Sequence, residues 1–369
     1  MRKICSAVFL ILCMLSTPLS GCIEGPWKSE MHRIEKNSGD DTLRILTYDI
    51  MALSDEMISA FTNQTGISVE FIRANDAGGV LETAILNKDR PQYDLIIGID
   101  NSFLGDALAF SLFQANDVNV ENISLKALSS HDGSYAVPYD MGSICINYDT
   151  SYVDGENVTV PMSLWNFTET EWKGKVAVQN PRTSSPGRSF LIATTQYFAE
   201  DTDENTDYTD WWAAMSANDV IVSSGWTEAY ETHYSGGYGP WMDGYIGDAQ
   251  AVVSYCHSPG VEAWYGENWT QSAALNLAGA SFLQIEYAAI PNGAEDISQA
   301  KSFIEYLISP EVNSQMPTQN FMYSVLDGYD LPEENGYRHH SVSPIDTQIS
   351  SENIEAHIDE WLNNWDAAI

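Results

Sequence analysis

YDLIIGIDN, residues 93–101, carries an almost continuous apolar run from Tyr93 to Ile99. A run of this kind is typical of a strand that is buried on both faces of its sheet. Two further strands are predicted before it, over 43–48 and 67–72, and each is followed by a predicted helix. The order strand, helix, strand, helix, strand implies a parallel sheet with helices on both faces, so we predict the α/β class.

The helices between these strands are predicted from their boundary residues. Ser54 is placed as the N-cap of the first helix, and Gly66 supplies its stop. Asp55 and Glu56 fall in the first turn, as is usual at the positive end of a helix. The second helix is predicted over 80–86.

Polar or aromatic residues follow all three predicted strands. They are Tyr48-Asp49, Asn75-Asp76 and Asp100-Asn101. In sheets of this kind, ligands bind beyond the carboxyl ends of the strands. A single Asp or Asn at such a position would most simply cap the next helix. Three strand ends together, with an aromatic ring, favour a site for a cationic, planar ligand.

The segment QNPRTSSPG, residues 179–187, joins a predicted strand over 175–178 to a predicted helix over 188–198. Ser followed by Pro at a helix start leaves backbone N–H groups pointing out of the helix end, where an anion such as phosphate can bind. The same Ser-Pro pair recurs at 258–259 and 309–310. An ordinary capped helix is therefore the alternative, and the pattern alone is a weak signal.

The first residues are typical of an export signal. Arg2 and Lys3 precede an apolar run over 4–15 that is too short to span a bilayer. Leu19-Ser20-Gly21-Cys22 then resembles the lipobox of secreted lipoproteins. We predict that residues 1–21 are removed, that Cys22 is acylated, and that residues 22–41 form a flexible tether. A plain secretory signal with an incidental cysteine is the alternative.

The chain is strongly acidic, with 16 Lys and Arg against 52 Asp and Glu. Removing Arg2 and Lys3 with the signal leaves 14 against 52, a balance of −38. This surface argues against nucleic-acid binding, which depends on neutralising phosphates with cations. It would also be repelled by anionic lipid headgroups, so a membrane link must be covalent. Such a charge suits a salt-rich environment, where screening weakens self-repulsion.

Smaller patterns in the sequence concern disulfides, metals and glycans. Beyond the signal and anchor, Cys145 and Cys256 remain, as a disulfide or as two buried thiols. The acidic stretch 200–210 lacks the glycine and the terminal glutamate of a calcium loop, so we expect neither a metal nor a cofactor. Five Asn-x-Ser/Thr triplets are either glycan sites or chance occurrences: Asn63, Asn122, Asn157, Asn166 and Asn268.

The last residues, 350–369, are predicted to form a terminal helix that docks on the rest of the fold. Its apolar side chains share one helical face. They are Ile354, Ile358, Trp361, Leu362 and Trp365.

The motifs of this chain resemble the periplasmic thiamine-binding protein family, within the type II solute-binding proteins of ABC importers. They recur in family order across nearly the whole mature chain, and SSGWTEAY and MPTQNFMY are the most specific of them. The stretches are LTYDI (46–50), ANDAGGVLETAIL (74–86), YDLIIGIDN (93–101), AVPYDMGSICINYD (136–149), QNPRTSSPG (179–187), SSGWTEAY (223–230), VVSYCHSP (252–259), FLQIEYAA (282–289) and ISPEVNSQMPTQNFMYSV (308–325).

The resemblance implies a two-lobed type II periplasmic-binding-protein fold with the ligand cleft between the lobes. Lobe 1 would comprise 42–140 plus 284–369, and lobe 2 would comprise 141–283, with crossing strands between them. It also implies a set of ligand-binding residues at matching positions. These are Tyr48, Asp76, Asp100, Ser184, Ser185, Gly187, Trp226, Tyr230, Tyr255 and Phe321.

In this reading, Tyr48 stacks on or hydrogen-bonds to the ligand, and Asp76 faces its positive charge or its aminopyrimidine. Ser184 or Ser185, with the Gly187 amide, would hold the hydroxyethyl or phosphate end. Trp226 and Tyr255 would close on the ligand from the second lobe, so that Asp76 and Trp226 meet only through it. Phe321 stands where the family usually has tryptophan. The phenylalanine keeps an aromatic ring but lacks the indole N–H donor.

The implied ligand is thiamine, thiamine monophosphate or thiamine diphosphate. The implied partners are an ABC permease and its ATPase, and the protein would be a non-enzymatic, exported, lipid-anchored monomer on the outer face of the cytoplasmic membrane. The insertion over 233–245 is predicted to be surface decoration rather than a lid over the cleft.

Two alternative functions remain. A sibling binder could take a polyamine or ferric ion. Ferric binders of this fold generally use adjacent tyrosines, whereas the tyrosines here are isolated from one another and Trp211-Trp212 is a pair of tryptophans. An enzyme resembling thiamine-degrading proteins would need Cys145 or Cys256 as an activated nucleophile. Neither cysteine has an evident activating base nearby in the sequence.

Overall fold

The computed structural model describes residues 41–51, 53–156, 158–200, 206–237 and 244–369. The predicted export signal, Cys22 and nearly all of the predicted tether lie outside the described residues. Asn157 also lies outside them. The described strands are β1 Thr42–Thr47, β2 Ser68–Arg73, β3 Leu95–Asp100, β4 Ala136–Asp149, β5 Val176–Gln179, β6 Ile221–Ser223, β7 Ala251–Tyr255, β8 Ser272–Ala274, β9 Phe282–Ala289 and β10 Tyr323–Ser324.

Helices cover both faces of the sheet that these strands form. In the described residues they are α1 Asp55–Thr65, α2 Ala77–Leu86, α3 Leu104–Ala109, α4 Ser185–Ala199, α5 Tyr208–Ala217, α6 Ser258–Tyr265, α7 Ile297–Leu307, α8 Pro310–Asn313, α9 Met316–Gln319, α10 Tyr337–His340 and α11 Ser351–Ala368. Among the described residues, none of these helices is both long enough and apolar enough to cross a membrane.

The sheet runs in the order β2-β1-β3-β9-β4-β7-β5-β6, with β8 and β10 paired to β4. Strands β1, β2 and β3 pair in parallel, as predicted from the sequence. Strands β5, β6 and β7 form a second parallel group. Between the groups, β9 pairs antiparallel with both β3 and β4, and β4 pairs antiparallel with β7. The two groups are therefore connected through the long strands β4 and β9.

The first helix begins and ends where its boundary residues predict. The Ser54 side chain accepts a hydrogen bond from the Met57 amide, which satisfies one free N–H of the first turn. Gly66 ends the helix in the left-handed conformation, with φ of 79°, and its N–H donates to the Thr62 carbonyl. Helix α2 begins at Ala77, earlier than predicted, because Asp76 caps it.

Apolar side chains form separate cores around the two strand groups. One core contains the face of β1 and β3 that packs on α1 and α7, and a second core contains the other face, packed on α2 and α3. A third core gathers α4, α5 and the ends of β4 and β7. The terminal helix α11 packs into this third core through the five apolar residues predicted for it. The boundaries of the two lobes stay a prediction.

Cys145 of β4 and Cys256, which follows β7, form a disulfide. Both side chains have an exposed fraction of 1%. Of the two alternatives left by the sequence, the disulfide is the one observed, and neither cysteine is a free thiol.

Within the 233–245 insertion, Tyr234, Gly236 and Gly237 are buried, so the prediction of surface decoration is wrong for these residues. Tyr234 has an exposed fraction of 0%, and its hydroxyl lies 2.7 Å from the Ser272 hydroxyl. It packs with Tyr230 and Ala249 in a small core of its own. Residues 238–243 of the insertion lie outside the described residues.

Candidate ligand-binding site

Two adjoining cavities lie beyond the ends of β1 and β2 and at the start of α2, on the side where the second strand group approaches the first. Their volumes are about 410 Å³ and about 660 Å³. They share the lining residues Tyr48, Ile50, Trp226, Tyr255 and Glu286, so they form one continuous cleft. We call the smaller one the acidic cavity and the larger one the aromatic cavity.

Tyr48 lies at the end of β1, against Gly98 of β3. Gly98 has φ of 96° and contacts the Tyr48 ring so closely that any side chain there would collide with it. The Tyr48 hydroxyl donates to the Glu286 carboxylate at 3.0 Å, and the buried Tyr139 hydroxyl donates to the same oxygen at 2.6 Å. The first predicted site residue is therefore held by a carboxylate on the crossing strand β9.

Glu286 is the charged centre of this network. Its other oxygen accepts a hydrogen bond from the Gln284 amide at 2.9 Å, and Gln284 also donates to the Tyr255 hydroxyl at 2.9 Å. Burial raises the pKa of Glu286 to about 7, with nearby Asp100 and Asp76 adding to the rise. A buried carboxylate on the cleft wall favours the binding of a cation, because the positive charge would stabilise the ionised form of Glu286.

Asp76 lies at the junction between the two strand groups. One oxygen accepts from the Ala77 amide at 2.7 Å and lies 3.5 Å from the Ser185 amide, and the other accepts from the Trp226 amide at 3.3 Å. The prediction that Asp76 and Trp226 meet only through a ligand is therefore wrong. The contact arises because the start of α4 and the turn before Trp226 both point backbone N–H groups at the end of β2.

Trp226 and Tyr230 form a stacked pair on the cleft wall, with ring centroids 4.7 Å apart and planes 13° from parallel. Tyr230 lies in a π-helical turn over Glu228–His233, a form of helix that often occurs at functional sites. The Trp226 indole N–H donates to the Ser254 hydroxyl at 2.8 Å. The Tyr230 hydroxyl donates to the buried Glu262 carboxylate. Both rings are thus fixed before a ligand arrives.

Phe321 lies on the far wall of the aromatic cavity in a strained backbone conformation, with φ of 57°. Its carbonyl oxygen lies 2.6 Å from Nε2 of His257. Burial lowers the pKa of His257 to about 4, so the ring is neutral and Nε2–H donates. This bond fixes the backbone of Phe321, whose ring lines the cavity.

The cleft gathers most of the predicted site residues. Tyr48, Asp76, Ser185, Trp226 and Tyr255 line the acidic cavity, and Tyr230 and Phe321 line the aromatic cavity.

Three predicted site residues, Asp100, Ser184 and Gly187, do not line either cavity. Asp100 is buried, accepts from the Ser102 amide at 2.6 Å and binds the Ser185 hydroxyl. Ser184 is fully buried. Gly187 packs its Cα on the Gln179 carbonyl, leaving no room for a side chain.

The sequence reasoning missed Glu286 and the further carboxylates of the cleft. Glu286 did carry a signal, because it lies in the otherwise apolar stretch FLQIEYAA, and a charge in a buried strand requires a partner. The acidic lining residues of the two cavities are Asp49, Asp76, Glu228, Glu231, Glu262 and Glu286. Among the described residues that line the cleft, there is no lysine or arginine. The cleft can therefore bind a cation between aromatic rings.

Comparisons with known proteins agree with this geometry. Residues 56–334 match the model of a family described as bacterial extracellular solute-binding proteins. The thiamine-binding periplasmic protein of Salmonella typhimurium is 25% identical over 331 residues, which are 89% of this chain and 93% of that protein. Its counterpart in Haemophilus influenzae is 24% identical over 308 residues, 82% of this chain and 83% of that protein. The resemblance found in the motifs is confirmed.

Solved structures show the fold. A periplasmic thiamin binding protein matches with a TM-score of 0.72 and 24% identity, covering 89% of this chain and 96% of that chain. An iron-bound HitA from Pseudomonas aeruginosa matches at 0.66 and 15% identity, covering 89% and 99%. PotD, a spermidine/putrescine-binding protein from Streptococcus pneumoniae, matches at 0.61 and 16%, covering 89% and 99%. The predicted fold class, a two-lobed α/β type II periplasmic-binding-protein fold, is confirmed.

Proposed function

The chain belongs to the bacterial extracellular solute-binding protein family, and from this we propose that it captures thiamine outside the cell for an ABC importer. The observation that carries the proposal is that buried Glu286 and the rings of Tyr48, Trp226 and Tyr255 line the same cleft. Thiamine has a permanent thiazolium cation and a flat aminopyrimidine. The cation suits an aromatic face beside a desolvated carboxylate, and the flat ring suits the aromatic cavity.

The wider proposal includes export, anchoring through acylated Cys22, and delivery to an ABC permease and its ATPase. The relatives named as periplasmic thiamine-binding proteins support export and delivery. The anchor is supported by the sequence over 19–22 alone.

We also propose that the protein is not an enzyme. A thiamine-degrading reaction would need a free thiolate as its nucleophile. Cys145 and Cys256 are joined to each other and buried, and no other cysteine lies among the described residues.

A polyamine is the second candidate ligand, favoured by the six carboxylates that line the cleft. Its amines would pair with acidic side chains along their length. Ferric ion is less favoured, because the tyrosines lining the cleft (Tyr48, Tyr230, Tyr255 and Tyr265) include no adjacent pair.

Titration calorimetry with thiamine tests the proposal. Wild type is expected to bind thiamine, and Trp226→Ala is expected to weaken binding by about 1–2 kcal/mol, because it removes a stacking face from the cation. Trp269→Ala is the matched control, since Trp269 has an exposed fraction of 55% and lines neither cavity. Wild type that binds spermidine and no thiamine compound would replace the proposal by the polyamine alternative.

A further inference from the structure

Helix α2, which follows β2 of the first strand group, contacts the second group at Gly78. The Gly78 N–H donates to the carbonyl of Thr183, in the loop that follows β5, at 3.1 Å. Gly78 is the second residue of α2, and an amide in the first turn of a helix has no acceptor within that helix. A carbonyl of the other strand group therefore serves as its acceptor.

Gly78 has no room for a side chain. A Cβ atom there would lie 2.6 Å from the Thr183 carbonyl oxygen and 2.7 Å from the Thr183 Cα, whereas ordinary contacts are 3.4–4 Å. The Thr183 backbone is itself held, because its N–H donates to the Asn180 carbonyl at 3.1 Å and its hydroxyl donates to the Ser224 carbonyl at 2.7 Å. A side chain at residue 78 would therefore push α2 and this loop apart, by on the order of 1 Å.

A second contact joins the same two strand groups. Arg188 of α4 lies 2.6 Å from the Asp106 carboxylate of α3, and its guanidinium lies 4.1 Å from the centroid of the Phe103 ring. The Arg188 side chain is only 4% exposed, and a buried charge is costly without its partner. The approach of the groups that brings Gly78 to Thr183 is therefore also stabilised at this second place.

The acidic cavity has walls from both groups. Residues 75–77 line it from the start of α2, and residues 224–228 line it from the second group. Gly78 directly follows the first of these segments, and Thr183 is bonded to the second through the Ser224 carbonyl. The distance between α2 and the loop therefore sets the spacing of the two walls.

We propose that Gly78 is a positioning residue for ligand capture. Because it has no side chain, α2 and the loop come together and hold the walls of the acidic cavity at the spacing that retains the ligand. The inference rests on the proposed function and adds the residue that sets this spacing. A site binds well only when its groups lie within about 0.5 Å of their productive positions, so a displacement on the order of 1 Å weakens binding.

Two neighbouring glycines of α2 provide a matched pair of variants. Gly78→Ala places a Cβ atom against the Thr183 backbone, whereas the Cβ of Gly79→Ala makes ordinary contacts with the Cβ atoms of Ala74 and Asn75, at 3.5 and 3.9 Å. Both glycines are half-buried, and both changes raise the helix propensity of α2. A difference between the variants therefore reports on the contact with the loop.

Calorimetry and stopped-flow tryptophan fluorescence with thiamine compare the two variants. Gly78→Ala is expected to weaken affinity roughly tenfold, mainly through faster dissociation, because changes at a contact act chiefly on the dissociation rate. Gly79→Ala is expected to stay within about twofold of wild type. A wild-type dissociation rate in Gly78→Ala, or an equal change in both variants, would overturn the inference while leaving the thiamine proposal intact.

Exchange of the Gly78 amide proton, followed by NMR, tests the contact without any substitution. In wild type this amide is expected to exchange at least about tenfold slower than an unstructured glycine amide, and slower still with thiamine, because its acceptor belongs to the other strand group. Exchange at the unstructured rate in both forms would overturn the inference, even if Gly78→Ala fails to fold. Wild type that binds no thiamine would overturn the proposed function, and exchange in the empty protein would then decide the Gly78 contact.

Discussion

Glu286 has an exposed fraction of 5% and lies where the two cavities meet. It accepts hydrogen bonds from Tyr48, Tyr139 and Gln284, which hold the carboxylate in place but do not neutralise it. Burial raises the pKa of neighbouring Asp140 well above its usual range, and the charge of Glu286 adds to that rise. Ionising Glu286 therefore costs free energy in the empty protein, and a bound cation would offset that cost.

The affinity for thiamine is expected to depend on pH through Glu286. Its pKa in the empty protein is about 7, and a permanent cation binds the ionised form better. Affinity should rise as pH increases through about 7, by up to roughly tenfold per pH unit below that point. Calorimetric titrations with thiamine from about pH 6 to about pH 8 would measure the slope.

The stability of the empty protein is expected to move in the opposite direction. The pKa of Glu286 is raised on folding, so the folded state binds more protons between the unfolded value and about 7, and stability falls as pH rises through that window. Asp100, with a pKa of about 6, and Glu262, with a pKa of about 7, contribute to the same trend.

Glu286→Gln is the control for the pH dependence of thiamine affinity. It should flatten that dependence, because it removes the titrating carboxyl group. Affinity that is independent of pH in wild type would remove Glu286 from cation recognition.

At the level of helices and strands, local signals predicted the first strand group well. The cap at Ser54, the stop at Gly66 and the apolar run at 93–99 each depend on neighbours in sequence, and each gives the observed element. The contact between Asp76 and Trp226 joins residues 150 positions apart. It depends on how two strand groups approach each other, which no local pattern specifies.

Asp100 and Tyr234 illustrate the same limit. Asp100 is the last residue of β3, where a ligand-binding aspartate would lie, but its carboxylate bonds to Ser102 and Ser185 instead of facing the cleft. Tyr234 lies in a glycine-rich segment that is typical of an exposed loop, and only the tertiary fold provides the core that buries it. Sequence thus predicts which segments approach the site more reliably than which side chains face it.

The disulfide fixes the segment that carries Tyr255 and His257 to the crossing strand β4. It closes a separation of 111 residues, and the Cys256 amide donates to the Ser143 carbonyl at 2.8 Å. Closing so long a loop reduces the conformational entropy of the unfolded chain, so the disulfide is expected to stabilise the folded protein by about 2–5 kcal/mol.

The double variant Cys145→Ala/Cys256→Ala is expected to lose this stabilisation, as measured by urea unfolding at equilibrium. Wild type treated with a reductant should approach the same midpoint, which distinguishes the effect of the disulfide from that of the side-chain substitutions.

Thiamine should remain intact after incubation with the wild type, because neither sulfur is a free nucleophile. An unchanged unfolding midpoint in the double variant would contradict the stabilising role.

For the whole molecule, charge bears on how the protein stays at a membrane. With 52 Asp and Glu against 16 Lys and Arg, the chain carries a formal charge of −36. Anionic lipid surfaces attract basic segments and repel a protein of this charge. We therefore expect charge to contribute no attraction at the cell surface, and retention there to depend on the acyl chains proposed for Cys22.

Metabolic labelling with a fatty acid is expected to mark wild type and to fail for Cys22→Ser, which should be released into the medium or stay unprocessed. Cys13→Ser is the matched control, because Cys13 lies within the apolar run of the same signal and should leave labelling unchanged. A high-salt wash separates the two kinds of attachment, since salt screens charge contacts and leaves acyl chains inserted. Wild type should resist that wash. A Cys22→Ser protein retained at the membrane as firmly as wild type would show that the anchor lies elsewhere and that the lipoprotein proposal is wrong.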